Sequence, residues 1–479
     1  MKLNGSAGVA SAMLLAIAFL QTSSANGQED VASNKVPVKV FILMGQSNMV
    51  GMGDISGGGV RWGDEFISPV LFIYDGEYSP EANYDRISPV QTLELESFGG
   101  VNPTPYPDGG THVVRGQIKM KQAGVYRFKP GYQASTHNIM EINGAEVHRR
   151  EPGTDSIFND IRLEADEVVE FKITYLTDSV NGLGWVQRTD IPGTLETVVN
   201  ADGKFPELAD ENGNWLQRDD VTYKGVISAV GQGPLCAGIQ GNTIGPELGF
   251  GFVVGDYLDE PVLLIKASIG NRSLGWDILP PGSERFEYDG RIYAGYRDTT
   301  ASWIEGEAKD EVNWYAGKQY DEYVQATHDV LNEFDNLFPQ FGDRGFEVAG
   351  FAWWQGHKDG NEAHASRYEQ NLVRLINSLR SEFNAPDAPF VIATIGFDGW
   401  DLAGPHVTVA NAQLAVSGET GNYPDFEGNV RTVETRDFWR AVQDSPRNQG
   451  YHYNRNAETY MLVGQALGKA MVELLQSDE

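Results

Sequence analysis

Two rhythms of hydrophobic and polar positions run along this chain. Residues 37–44 (Pro-Val-Lys-Val-Phe-Ile-Leu-Met) form a near-continuous run rich in β-formers, the pattern of a strand buried on both faces. Residues 261–267, 347–354 and 390–395 repeat it, the last preceded by Pro389, where a missing N–H harms a ladder least. Between the runs the apolar spacing changes to three and four. Tyr320, Val324, Thr327, Leu331, Phe334 and Phe338 predict a helix over 318–338. Tyr368, Leu372, Leu375, Ile376 and Leu379 predict one over 365–383, and Tyr460, Val463, Leu467, Ala470, Met471 and Leu474 one over 457–475. Pro246 opens a further helix, 246–258. Apolar strands alternating with helices predict a mostly parallel α/β sheet covered on both faces, a three-layer α/β/α arrangement.

One stretch breaks the alternation. From about residue 104 to 177 the pattern is β only. Residues 124–129 make a short strand between turn residues, Asn143-Gly144 marks a hairpin, and Val169, Phe171, Ile173 and Tyr175 alternate with polar neighbours. This predicts an antiparallel β-sandwich inserted into the α/β domain, with boundaries at 36–103 for the first part of the α/β domain, 104–215 for the insertion and 216–479 for the second part. The stretch between the first strand and about residue 100 reads as loop. The insertion is a candidate carbohydrate-binding unit, in loose likeness to the sandwiches attached to glycan-active enzymes.

The first 25 residues change the picture of where the protein works. Lys2 precedes a twelve-residue, largely apolar run from Val9 to Leu20, and Ser23-Ser24-Ala25 supplies small residues, the layout of an export signal cleaved near Ala25. The run is short for a membrane span. The expectation is a soluble protein in the periplasm or outside the cell. A single cysteine, Cys236, excludes an internal disulfide framework. With 36 Lys and Arg against 67 Asp and Glu, the net charge of −31 argues against nucleic-acid or membrane partners.

Candidate chemistry collects at strand ends. Gly45-Gln46-Ser47-Asn48 follows the first strand, and in an open parallel sheet ligands bind beyond the carboxyl ends. A serine on such a turn exposes its hydroxyl, although a turn serine is more often only a cap. Gly270 and Asn271 end a second strand, with Arg272 next, where it would meet either a glycan anion or a protein acid. Trp354-Gln355-Gly356-His357-Lys358-Asp359 ends a third, and Gln355 carries an uncharged amide donor. His452 precedes the last helix and titrates in the range of a general base. His357, Asp359, Glu362 and His364 lie close in sequence but match no zinc spacing, so no metal and no cofactor is expected.

Together, Gly-Gln-Ser-Asn, the Gly270-Asn271 turn, Trp-Gln-Gly-x-x-Asp and the late histidine resemble the SGNH hydrolase superfamily, nearest the sialate O-acetylesterase-like branch that includes carbohydrate esterase family 6. The resemblance spans about residues 36–100 and 225–475. It implies a flavodoxin-like sheet and an exported carbohydrate O-acetylesterase acting on an acetylated glycan. Ser47 would be the nucleophile and His452 the base, with Ser47 N–H, Gly270 N–H and the Gln355 amide as the oxyanion hole. Asn48, Asn271, Arg272 and Trp354 would bind substrate. Two departures stand out. Gln449 occupies the position three before the histidine where the family places an acid, and His357 stands where some members have Glu. Asp444 is the first candidate for the orienting acid. Glu434, Asp437 and Asp359 are alternatives, as is a dyad oriented by a backbone carbonyl. The competing readings are a small-ester esterase and a glycan-binding protein with a decayed site.

Overall fold

A computed structural model describes residues 35–61, 65–75, 82–95, 110–131, 137–176, 184–310 and 312–477. The export signal expected at 1–25 lies outside the described residues.

The sequence Val-Lys-Val-Phe-Ile-Leu-Met-Gly becomes strand β1 (Val38–Gly45), buried at every position except Lys39. Such a strand needs cover on both faces, and it lies mid-sheet. Strands β2 (Gln217–Ile227), β4 (Val262–Ser268), β5 (Phe346–Trp354), β6 (Phe390–Ala393) and β7 (Val430–Val433) run parallel with it, and β3 (Gln232–Cys236) closes one edge antiparallel. The order is β3-β2-β4-β1-β5-β6-β7. Its last five strands have the 2-1-3-4-5 order of flavodoxin-like sheets, in which successive crossovers reverse direction between β1 and β5. Register aligns the strand ends, with Gly45 opposite Ser268 on one side and Trp354 on the other. β2, which begins Gln-Arg-Asp-Asp, and the four-residue β7 are strands that the hydrophobic pattern did not predict.

Five main helices cover the sheet: α1 (Pro246–Tyr257), α2 (Lys318–Asn332), α3 (Glu362–Glu382), α4 (Pro405–Ala415) and α5 (Ala457–Ser477). Every residue of β4 is buried. Leu264 and Lys266 meet α1, so the alternate set Leu263, Ile265 and Ala267 is covered from the opposite side. α1 and α5 approach so closely that a Cβ at Gly464 would stand 2.2 Å from the Pro246 carbonyl oxygen. That contact accounts for glycine inside a long helix, where it otherwise costs about 1 kcal/mol.

The described residues between 59 and 188 form a second unit. A seven-stranded antiparallel sheet and a four-stranded one share an apolar cluster, separate from the main core, that includes Phe66, Ile118, Phe128, Met140, Phe171 and Ile173. Val169, Phe171, Ile173 and Tyr175 are buried while Val168 and Glu170 are exposed, as their alternation requires. Asn143 and Gly144 both take positive φ, the backbone of a tight hairpin turn. The start expected at residue 104 is corrected. Gly59–Arg61 pairs with 185–187, Phe66–Tyr74 with 111–118, and Gln91–Glu94 with 70–73. Phe66–Tyr74 (Phe-Ile-Ser-Pro-Val-Leu-Phe-Ile-Tyr), in the stretch that reads as loop, is a strand that Ser68-Pro69 interrupts. The interruption is a bulge, with Ser68 at φ 48°.

Candidate active site

The carboxyl ends of β1, β4 and β5 meet where the sheet order reverses. Gly45 ends β1 so tightly against β5 that a Cβ there would fall 2.2 Å from the Trp354 carbonyl oxygen. The chain then makes a single helical turn, Ser47–Val50. His452 lies on the turn Gly450–Arg455, just before α5, and its Nε2 is 2.9 Å from Ser47 Oγ. The two residues singled out as nucleophile and base are therefore paired. Gly270 adjoins them, since a Cβ built on it would stand 3.5 Å from Ser47 Cβ.

Burial pushes the His452 imidazole down to about 4, assisted by the positive charge of Arg455 and by His357. At neutral pH it is an uncharged acceptor, the form in which a general base starts. His452 Nδ1, however, has no hydrogen-bond partner among the described residues. The assignment of Asp444 is corrected here. Its side chain is exposed, and its backbone carbonyl accepts from Asn456 Nδ2 at 2.8 Å, so it serves the chain's path and not the imidazole. Glu434 is engaged by Arg436 and Thr394, Asp437 by Trp400, and Asp359 by β4-side amides, so none of the alternatives reaches Nδ1 either.

Several other expected roles change once burial is known. Gln355 Nε2 faces three acceptors: Gln46 Oε1 at 3.1 Å, the Arg272 carbonyl at 2.9 Å and Asp359 Oδ2 at 2.6 Å. An amide nitrogen has two hydrogens, so none is left for an oxyanion. Gln355 is structural mortar between β5 and the Gly270 turn. Asp359 does the same from full burial, accepting from Leu274 N–H at 2.8 Å and Gly275 N–H at 2.7 Å. Desolvation raises its pKa, against the hydrogen bonds and the nearby His364. Asn48 is also internal. Its Nδ2 donates to the Tyr451 carbonyl at 3.2 Å and its Oδ1 accepts from Tyr460 at 2.9 Å. Trp354 is wholly buried against Tyr453 and Tyr460. Neither can touch substrate. Of the four proposed substrate contacts, Asn271 is exposed and Arg272 half-buried, its guanidinium bonded to Gln319 and stacked on Trp314 at 5.1 Å.

The sequence did not disclose the aromatic neighbours of His452. Tyr451, 46% exposed, has its ring 4.4 Å from His452 and 5.3 Å from His357, which stacks on His406 at 5.4 Å. A cavity of about 500 Å³ adjoins it, lined by Arg447, Asn448, Gln449, Tyr451 and Arg455. Contacts between residues 50 to 100 apart carry no local signal. Among the described residues no group of three His, Cys, Asp or Glu side chains is placed to hold a metal.

The family model described as "Carbohydrate esterase, sialic acid-specific acetylesterase" matches residues 229–473. A comparison with curated proteins finds no match. Among solved structures, the chain is similar to a protein from Arabidopsis thaliana at 18% identity, covering 54% of this chain and 87% of that one, with a TM-score of 0.34. A carbohydrate acetylesterase from Xanthomonas citri matches at 12% identity over 77% and 74%, with a TM-score of 0.34. NanS matches at 13% over 92% and 98%, with a TM-score of 0.32.

Proposed function

The chain belongs to the sialic acid-specific acetylesterase family of carbohydrate esterases, and on that premise we propose that it is an exported serine O-acetylesterase removing acetyl groups from a polysaccharide or a sialic-acid-type sugar. The observation that carries the serine mechanism is the 2.9 Å contact of His452 Nε2 with Ser47 Oγ at the switch point of the sheet. Ser47 Oγ attacks the ester carbonyl as His452 takes its proton. Ser47 N–H and Gly270 N–H, on the two strand ends beside the hydroxyl, hold the oxyanion. The imidazolium then protonates the departing sugar oxygen, and a water molecule, deprotonated in turn by His452, releases acetate and restores Ser47. An imidazole held near 4 is a weak base but a strong conjugate acid, which favours expulsion of an alkoxide.

For the sugar, the support lies at the mouth. Tyr451 offers an exposed aromatic face beside His452, and Arg447 and Arg455 line the same cavity, which favours a sugar bearing an anionic group over a neutral one. The two antiparallel sheets of residues 59–188 read as an inserted β-sandwich. A cavity of about 570 Å³ on it, lined by Phe72, Arg115, Glu141, Glu170 and Lys172 among others, is a candidate glycan contact.

The test is release of acetate from acetylated glycans and from 4-nitrophenyl acetate. Ser47→Ala and His452→Ala should each lower turnover by about a thousandfold or more. Undiminished release in Ser47→Ala would remove the serine mechanism.

A further inference from the structure

Among the described residues no acid reaches the ring of His452, yet its loop is held by a carboxylate from another place. Asp54 lies seven residues beyond Ser47 on the same segment and is tied to the domain by pairing of Gly53–Asp54 with Thr243–Ile244. Its side chain is 7% exposed. Oδ1 accepts from Arg455 Nε at 2.9 Å and Nη2 at 2.5 Å, and Oδ2 from Arg447 Nε at 3.4 Å. Arg447 and Arg455 bracket His452. One buried carboxylate, rigidly linked to the nucleophile, thus grips both ends of the loop that carries the base.

The backbone between those ends is strained. Tyr453, Asn454 and Arg455 have φ of 49°, 52° and 59°, three successive non-glycine residues in the left-handed region. Such a residue is strained and persists only where its surroundings over-determine it. The anchors are Asp54 on Arg455, Asn454 Nδ2 on the Arg440 carbonyl, and Asn48 and Tyr460 on the carbonyls of Tyr451 and His452.

We propose that Asp54 is the positioning residue of this esterase, doing through the backbone of the 447–455 loop what an acid on the imidazole nitrogen does elsewhere. This rests on the serine-esterase reading. Asp54 also partly neutralises Arg455, the cation that acts on His452. The other groups facing His452 are Ser47 from the nucleophile turn, His357 from the end of β5, Tyr460 from α5 and Tyr451 on its own loop.

Two readouts separate positioning from mere support. With 4-nitrophenyl acetate, which carries no anionic sugar, Asp54→Asn should lower kcat per titrated active site by about a hundredfold with KM little changed, since misplacing a base by about 1 Å costs that much. Asp54→Glu, which keeps the charge, should recover most of it. The His452 imidazole, followed by NMR titration, should move further down in Asp54→Asn because Arg455 is no longer neutralised. If Asp54→Asn does not fold, Arg447→Gln, at a half-exposed side chain, releases one anchor and should give a smaller loss of kcat. Unchanged kcat per active site with an unchanged His452 titration would overturn the proposal while leaving the esterase reading intact. A wild-type protein without Ser47-dependent turnover would instead sink that reading, and the NMR arm would still decide whether Asp54 governs the His452 loop.

Discussion

An imidazole whose Nε2 meets a serine hydroxyl while Nδ1 has no partner among the described residues is oriented by its backbone and its neighbours. Two predictions belong to that residue. Because burial holds His452 down to about 4, the base form is present at all pH values above that. The kcat/KM of ester hydrolysis should therefore stay level from neutrality downward and fall only as pH approaches 4. An acid limb centred near the ordinary histidine value of 6.5 would contradict the buried setting. Asp444→Asn should leave turnover at the wild-type level, because the Asp444 carboxylate is exposed and the carbonyl that Asn456 uses survives the change. A clear loss of kcat there would return Asp444 to the triad. Ser47 and His452 were legible in the sequence because each sits next to a strong element signal, a buried strand and a terminal helix. Asn48, Trp354 and Gln355 occupy the same motifs, but their roles turn on burial and on which hydrogens remain free. Neither is written locally.

At the scale of elements, the site depends on keeping three strand ends level. β1 and β5 are locked by close backbone contact at Gly45, whereas the Gly270 turn is held to β5 by Asp359 and Gln355. Asp359→Asn replaces one acceptor oxygen with an NH2 group that must face an N–H of Leu274, Gly275 or Gln355. Lost charge-assisted bonds of this kind cost about 2 kcal/mol each, so Tm should fall and kcat with it, as the Gly270 N–H drifts from Ser47. Thermal unfolding together with 4-nitrophenyl acetate kinetics checks this, and a variant matching wild type in both would show that the turn is held otherwise. Farther along α5, Gly464→Ala drives a methyl into the Pro246 carbonyl and should destabilise by about 1–3 kcal/mol through forced separation of α1 and α5, with little effect on KM. The strands and helices of this layer were largely readable from apolar periodicity. β2 was not, because its first four residues are polar and only Val221, Thr222 and Tyr223 are buried.

Among the described residues the two largest apolar clusters are separate, one under the parallel sheet and one between the antiparallel sheets. The chain leaves the α/β domain near Gly57 and returns at Arg188, so close that a Cβ on Gly57 would stand 2.9 Å from the Arg188 carbonyl oxygen. Adjacent entry and exit points are what allow one domain to sit inside another without disturbing it. The sequence shows the change of rhythm but puts its start at about residue 104, whereas antiparallel pairing already begins at Gly59, in strands that Ser68-Pro69 interrupts. If the cores fold independently, damage to one should spare the other. Phe128 is fully buried in the inserted cluster, and Phe128→Ala should cost that unit about 3–5 kcal/mol. Calorimetry should then show one transition moved well below its wild-type position and another unmoved, while Ser47-dependent hydrolysis of 4-nitrophenyl acetate persists at temperatures between the two. A single transition that shifts as a whole, taking the activity with it, would mean that contacts such as Arg127 with Glu196 couple the units into one cooperative body. In that case the inserted sheets would be part of the esterase's own scaffold. Separate transitions would instead mark them as a unit that can change its ligand without changing the chemistry at Ser47.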